Sequence, residues 1–162
     1  MATSAGTTTP RYAAQRALTR EAFPVLTEVT TRWADNDMFG HLNNAVYYQL
    51  FDTAINGWLA GVTGEDPVRA RVIGVVAESR CVFFGEVGFP DPVTVGLRLA
   101  RLGRTSVTYE LGVFGAPGAG IAAFGEWTHV YVDRSSRVPT EPSPAHRAAF
   151  EGILARADEV VA

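Results

Sequence analysis

The chain has 162 residues and reads as one domain; at 47% hydrophobic and 19% charged it is globular rather than disordered. Its net charge is −3 with no basic run, so nucleic acid is not an expected partner. All 14 basic residues are arginine, which rules out Schiff-base chemistry on a lysine, and the single cysteine cannot form an internal disulfide.

Residues 1–10 lack a basic start followed by an apolar core, so no signal peptide is expected. No apolar run approaches the ~18 residues that cross a bilayer, so no membrane partner is expected and the expected address is the cytoplasm. Residues 1–20 read as a small, polar, flexible N-terminal extension with a short helix over 13–18. A strand is expected over 25–33, with Val25, Val29 and Trp33 on one side and Glu28 and Arg32 on the other. After a polar loop the period changes. Tyr47, Leu50, Phe51, Ala54, Ile55 and Trp58 recur at helical spacing over 44–62, and Gly61 and Gly64 close that helix.

Everything from 69 to 133 reads as strand. A long alternating run covers 72–84, in which Cys81 shares a small apolar face with Val75, Ala77, Ser79 and Phe83, the setting of a buried core thiol. Val93, Val95, Leu97 and Leu99 form one face of the next strand. A tight turn at 102–105 leads to a strand over 106–114, and a second turn at 116–120 to a strand over 121–133. After Pro139, Pro142 and Pro144 a helix is expected over 145–160. The fold class is therefore α+β, with a curved antiparallel sheet wrapped around one long central helix. Ala122, Phe124, Val130 and Val132 lie opposite Ile121, Trp127 and Tyr131, giving apolar residues on both faces of one strand. One helix cannot cover both faces, so a homo-oligomer is expected.

The loop over 33–44, WADNDMFGHLNN, concentrates acids, a histidine, a glycine and asparagines between two apolar segments. Asp, Asn and Gly ahead of a helix meet the needs of a turn and a cap, with Asn43 as the N-cap. The spacing Arg32-Trp33-x-Asp35-x-Asp37-x-x-Gly40-His41-x-Asn43-Asn44-x-x-Tyr47 also resembles the opening of the hotdog-fold acyl-CoA thioesterases, in the branch named for 4-hydroxybenzoyl-CoA thioesterase. The resemblance continues in Tyr47-Tyr48-x-x-Phe51, in Arg101 to Val107, and in His129 to Arg134 with Pro139 after it, spanning roughly 25–139. It implies a hotdog fold, placed over 21–140; the extension over 1–20 and a C-terminal helix over 141–162 lie outside the resemblance. It further implies a homodimer or homotetramer with sites at the dimer interface, and metal-free hydrolysis of an acyl-CoA with no cofactor beyond the coenzyme A of the substrate. The sequence departs from the family at Gly88 to Pro92, where a Gly-Asp pair is usual, and at Asp52, where the helix usually carries Glu.

Carried over by resemblance, Asp37 is the acid that either attacks the thioester carbonyl or activates a water, and the residues do not choose between the two. A carboxylate is ionised at neutral pH in water, so an aspartate serves either role from the outset. The backbone N–H near Asn44, at the positive end of the helix, is expected to meet the developing oxyanion. Gly40 would let the acyl group come close, His41 would orient Asp37, the water or the substrate, and Asp35 would fix the loop. Arg104, Thr105 and Ser106 resemble the family's CoA-contacting segment and equally fit an ordinary exposed turn. Tyr47, with Phe39, Tyr48 and Phe84, is a candidate for the acyl pocket. A hydratase acting on enoyl-CoA is disfavoured, since no Asn-Pro occurs and Asp37 and His41 are four apart. A thioesterase acting on an acyl carrier protein and a non-catalytic acyl-binding protein are the standing alternatives.

Overall fold

A computed structural model describes residues 11–161; residues 1–10 of the expected extension lie outside it. The elements are α1 (Ala13–Arg16), β1 (Val25–Val29), α2 (Asn44–Thr63), β2 (Val72–Phe83), β3 (Val93–Leu102), β4 (Ser106–Phe114), β5 (Ile121–Asp133) and α3 (Pro144–Val161), with short 3-10 turns at Arg20–Ala22 and Trp33–Asp35. The strands form one antiparallel sheet in the order β1-β3-β4-β5-β2.

The apolar stripe of α2 explains its seat. Tyr47, Leu50, Phe51, Ala54, Ile55 and Leu59 are buried against the sheet, each large side chain contributing roughly 2 kcal/mol by leaving water. The facing sheet residues are Val93, Val95, Leu97 and Leu99 of β3, Val107, Tyr109, Leu111 and Val113 of β4, and Trp127 and Tyr131 of β5. Trp58 lies beside this core and meets Phe150 of α3 at 6.1 Å between ring centroids. This is the hotdog arrangement. No helix among the described residues is long and apolar enough to cross a membrane.

Four sequence expectations change in detail. The strand expected over 25–33 ends at Val29, because the 3-10 turn begins at Trp33 and swings that ring out to 82% exposure. Gly61 stays inside α2; the helix stops at Gly64, which takes the left-handed C-cap conformation at φ 63°. In β2 the register with β5 shifts between Val76 and Glu78, leaving Ala77 as an extra residue. A one-residue insertion reverses the side on which later residues point, so Cys81, opposite Gly125, and Val75, opposite Val130, lie on different faces. Cys81 is half-buried against the main core, and burial pushes its thiol up to about 12.

The fourth change concerns the outer face of the sheet. Phe23, Phe114, Ile121 and Phe124 form a second buried cluster with Leu18, Ala22 and Phe84 around it. The Phe23 ring crosses β3 and β4 where both carry glycine: a Cβ on Gly96 or Gly112 would sit 2.6 or 2.7 Å from it. Arg20 fastens the same segment by donating from Nη2 to the Gly115 carbonyl at 2.7 Å and lying over the Phe114 ring. The apolar surplus read from β5 is thus partly covered by the chain itself.

Candidate active site

The loop between the Trp33–Asp35 turn and α2 is closed by its own backbone. Asp37 N–H donates to the His41 carbonyl at 2.9 Å and Gly40 N–H to the Asp37 carbonyl at 3.2 Å, with Gly40 at φ 91°, where a side chain would be strained. The Asp37 carboxylate is then held by one oxygen: Phe39 N–H donates to Oδ1 at 2.8 Å. The other oxygen, Oδ2, lies 3.7 Å from His41 Nδ1. His41 Nδ1 is also 3.2 Å from the Leu42 carbonyl, so both neighbours of that nitrogen are acceptors. In the neutral ring the proton therefore sits on Nδ1, and Nε2 is left as an acceptor.

Helix α2 starts directly behind this turn. Asn43 caps it: its Oδ1 accepts from Ala45 N–H at 2.9 Å and its carbonyl from Val46 N–H at 2.8 Å. Among the described hydrogen bonds the Asn44 N–H has no acceptor, which leaves a donor at the positive end of the helix dipole. Asp37, Gly40, His41, Asn43 and Asn44 thus come together at one helix end.

Asp35 is the frame of the loop. It is 5% exposed, takes the Arg32 guanidinium at 2.7 Å and the Arg32 N–H at 2.7 Å, and accepts Asn43 N–H on its own carbonyl at 2.9 Å. The hydrogen bond from Arg32 holds its carboxyl below the usual carboxylate range. From the β2–β3 connection, Val87 accepts Leu42 N–H at 2.8 Å and Phe89 N–H donates to Asn36 Oδ1 at 3.0 Å. Gly88 is pressed against this loop, where a Cβ would meet Asn36 Oδ1 at 3.2 Å and the Gly40 carbonyl at 3.3 Å.

Tyr47 is buried in the first turns of α2, its ring 5.0 Å from Phe83, and burial pushes its phenol up to about 12. Phe39 is exposed and stacks on His41 at 6.2 Å. Phe84 packs into the outer cluster, on the opposite side from Phe83. Arg104, Thr105 and Ser106 are not near Asp37 in one chain: their hairpin joins β3 to β4 at the far end of β3, roughly 30 Å from the Val93 end at 3.3 Å per residue. There Arg147 donates to the Gly103 and Arg104 carbonyls.

Sequence reading missed Asn36, Phe83 and the Val87–Phe89 stretch. Asn36 carried a signal, an amide amid acids in a turn. The strand parity that selects Phe83 over Phe84 depended on a bulge that leaves no mark in the residue pattern. Among the described residues no group of three or more His, Cys, Asp or Glu could hold a metal ion.

Sheet, helix and loop together place the protein among the hotdog-fold thioester hydrolases. Within that class, residues 31–150 match the thioesterase-like superfamily, and the chain belongs to it. It is similar to the PA5185 protein of Pseudomonas aeruginosa, at 41% identity over 83% of this chain and 94% of that one, with a TM-score of 0.80. A Thermus thermophilus thioesterase, complexed with coenzyme A and zinc, is 27% identical over 84% and 98% of the two chains, with a TM-score of 0.70. The DHNA-CoA thioesterase of Staphylococcus aureus shares the fold at 18% identity, over 83% and 93%, with a TM-score of 0.73. No curated protein matches the chain.

Proposed function

We propose that the protein hydrolyses an acyl-CoA thioester to the free acid and coenzyme A, with Asp37 as the group that acts on the carbonyl carbon. The observation that carries this is the juxtaposition of a carboxylate fixed through one oxygen with a helix-end N–H that lacks an acceptor among the described residues. Asp37 Oδ2 either deprotonates a water as it attacks or attacks directly, forming a mixed anhydride that water then opens. The Asn44 N–H stabilises the oxyanion as charge develops on the thioester oxygen. His41, held by the Leu42 carbonyl at Nδ1, stands 3.7 Å from Oδ2 as its polar neighbour. The sulfur leaves as coenzyme A thiolate, and the thiol of the product takes its proton from solvent. The Thermus relative's complex with coenzyme A supports the choice of thiol. In this reading the working unit is a homodimer and the reaction runs without a metal, the carboxylate of Asp37 and the helix-end N–H acting on the thioester directly.

The test is release of free thiol from a panel of short, long and aromatic acyl-CoA esters by the purified protein, with and without a chelator. Hydrolysis of at least one ester at an unchanged rate in chelator is expected. Activity that vanishes with chelator and returns with a divalent ion would overturn the metal-free route, and no release from any ester would overturn the reading as a whole.

A further inference from the structure

The turn that carries Asp37 takes its shape from itself and its place from elsewhere. The bonds inside it, from Asp37 N–H to the His41 carbonyl and from Gly40 N–H to the Asp37 carbonyl, close the turn without fixing where it stands. Asn36 and Leu42 face each other across its base as an isolated bridge pair. Among the described hydrogen bonds, two tie this base to the connection between β2 and β3, one from each member of the pair. Leu42 N–H donates to the Val87 carbonyl at 2.8 Å, and Asn36 Oδ1 accepts from Phe89 N–H at 3.0 Å. The Asn36 amide nitrogen faces the Gly40 carbonyl at 3.4 Å, so each end of the amide meets the partner its chemistry needs.

The local backbone does not call for that amide. Asn36 is extended at φ −80° and ψ 148°, a conformation open to any residue. What the amide adds is the link to the connection, which is itself firmly held. Thr31, 4% exposed, donates from Oγ to the Asp91 carbonyl at 2.8 Å, and the Phe89 ring meets Trp33 at 6.1 Å. Gly88 lies so close to the amide that a Cβ would stand 3.2 Å from Asn36 Oδ1.

The two ties differ in kind. The one at Leu42 is backbone, from a fully buried residue; the one at Asn36 is a side chain, half-buried. Without the Asn36 tie the turn keeps a single pivot, at Leu42. Asp37 follows Asn36 directly and swings with it. The Asn44 N–H lies behind the pivot, beyond the Asn43 cap, and stays. The lost bond therefore alters the spacing between carboxylate and oxyanion donor and leaves both groups in being. A displacement of about 1 Å at reacting groups can cost about 10²-fold in rate.

We propose that Asn36 is a positioning residue for the hydrolysis, holding Asp37 in register with the Asn44 N–H by anchoring the turn to the β2–β3 connection. This rests on the reading of Asp37 given above. The test compares the full chain with Asn36→Ala, Asn36→Asp and Asp37→Asn on the ester the parent hydrolyses fastest, by free-thiol release, with urea midpoints alongside. Asn36→Ala should lower kcat about tenfold, with KM within about twofold and the midpoint near that of the parent. Asn36→Asp keeps an oxygen for Phe89 N–H and should recover most of that loss, which a residue that only fills space would not do. Gly88→Ala, which wedges a methyl group against the amide, should lower kcat by itself. Combined with Asn36→Ala it should lower kcat by less than the product of the two factors, since both open one tie. Asn36→Ala at the parent rate beside a slow Asp37→Asn would overturn the positioning role and leave the reading of Asp37 standing. So would Asn36→Asp as slow as Asn36→Ala, or a loss confined to KM or to the folded fraction. Asp37→Asn at the parent rate would remove the reading of Asp37, and this role with it.

Discussion

Asp35 and Asp37 stand two residues apart and are held in opposite ways. Asp35 is buried and spends both oxygens on Arg32, while Asp37 gives one oxygen to Phe39 N–H and keeps the other beside His41. Asp37→Asn keeps the size and the turn hydrogen bond, so the variant should fold as well as the parent and lose about 10²-fold or more in kcat. Asp35→Asn should cost about 1–2 kcal/mol in urea unfolding and change kcat less. Both variants turning over the best substrate at the parent rate would remove the site from this loop. A second residue-scale effect belongs to His129. Burial drives its imidazole down to about 4, against 6.5 for an exposed histidine, with Asp52 opposing weakly. As the pH falls, the unfolded chain takes up a proton first, so the stability is full above about pH 6.5 and is lost progressively down to about pH 4. The loss approaches roughly 3 kcal/mol, and His146, lowered in the same direction by burial, adds to it. Urea midpoints between pH 7 and 4.5 read this slope, which should flatten in His129→Phe; an unchanged slope there would assign it to other groups.

At the scale of elements, what the sequence disclosed was what periodicity carries. The stripe from Tyr47 to Trp58 fixed α2 to within a residue at its C-terminus, because a helix with one apolar face has one way to sit on a sheet. The strand 121–133 and the turn before β4 were legible for the same reason: alternation and glycine punctuate them. The β2 bulge was not legible, since Ala77 differs in no local way from its neighbours, and the phase of everything after it, Phe83 included, is hidden with it. The role of Phe23 was hidden too. Its partners Gly96 and Gly112 lie 73 and 89 residues on, and a glycine in a strand announces only that something comes close. Phe23→Ala opens a cavity over two strands that cannot collapse toward it, so it should cost about 3–5 kcal/mol in chemical denaturation. The Asp37 loop is on the other side of the sheet's end, so the kcat of the folded fraction should stay near the parent value. A cost under about 1 kcal/mol would mean that the segment only rests on the sheet.

For the whole molecule, the two ends of the sheet carry different halves of the expected site. The Asp37 loop, Val87 and Phe83 lie at one end, and the Arg104–Ser106 turn, the end of β5 and Val72 at the other. Strand β2 is the longer of the two edge strands, twelve residues against five in β1, with its side chains exposed or half-buried, so it presents an unpaired ladder to a second copy. Exposed apolar rings beside the Asp37 loop, Trp33 at 82% and Phe39 at 79%, ask for cover in the same region. A two-fold pairing of β2 with itself is antiparallel and brings the Val72 end of one copy to the Phe83 end of the other. It would therefore carry the Arg104 turn of each chain toward the Asp37 loop of its partner, which one chain alone keeps roughly 30 Å apart. Such an obligate interface buries more than roughly 2,000 Å². Activity should fall with dissociation in a dilution series followed by sedimentation. The sharper measurement mixes two variants, Asp37→Asn and Arg104→Ala, each assayed at acyl-CoA below KM. If a site takes Asp37 from one chain and Arg104 from the other, every mixed dimer has one intact site, and an equimolar mixture should recover about a quarter of the parent rate. If each chain built its site alone, or worked as a monomer, mixing would restore nothing beyond the average of the two variants.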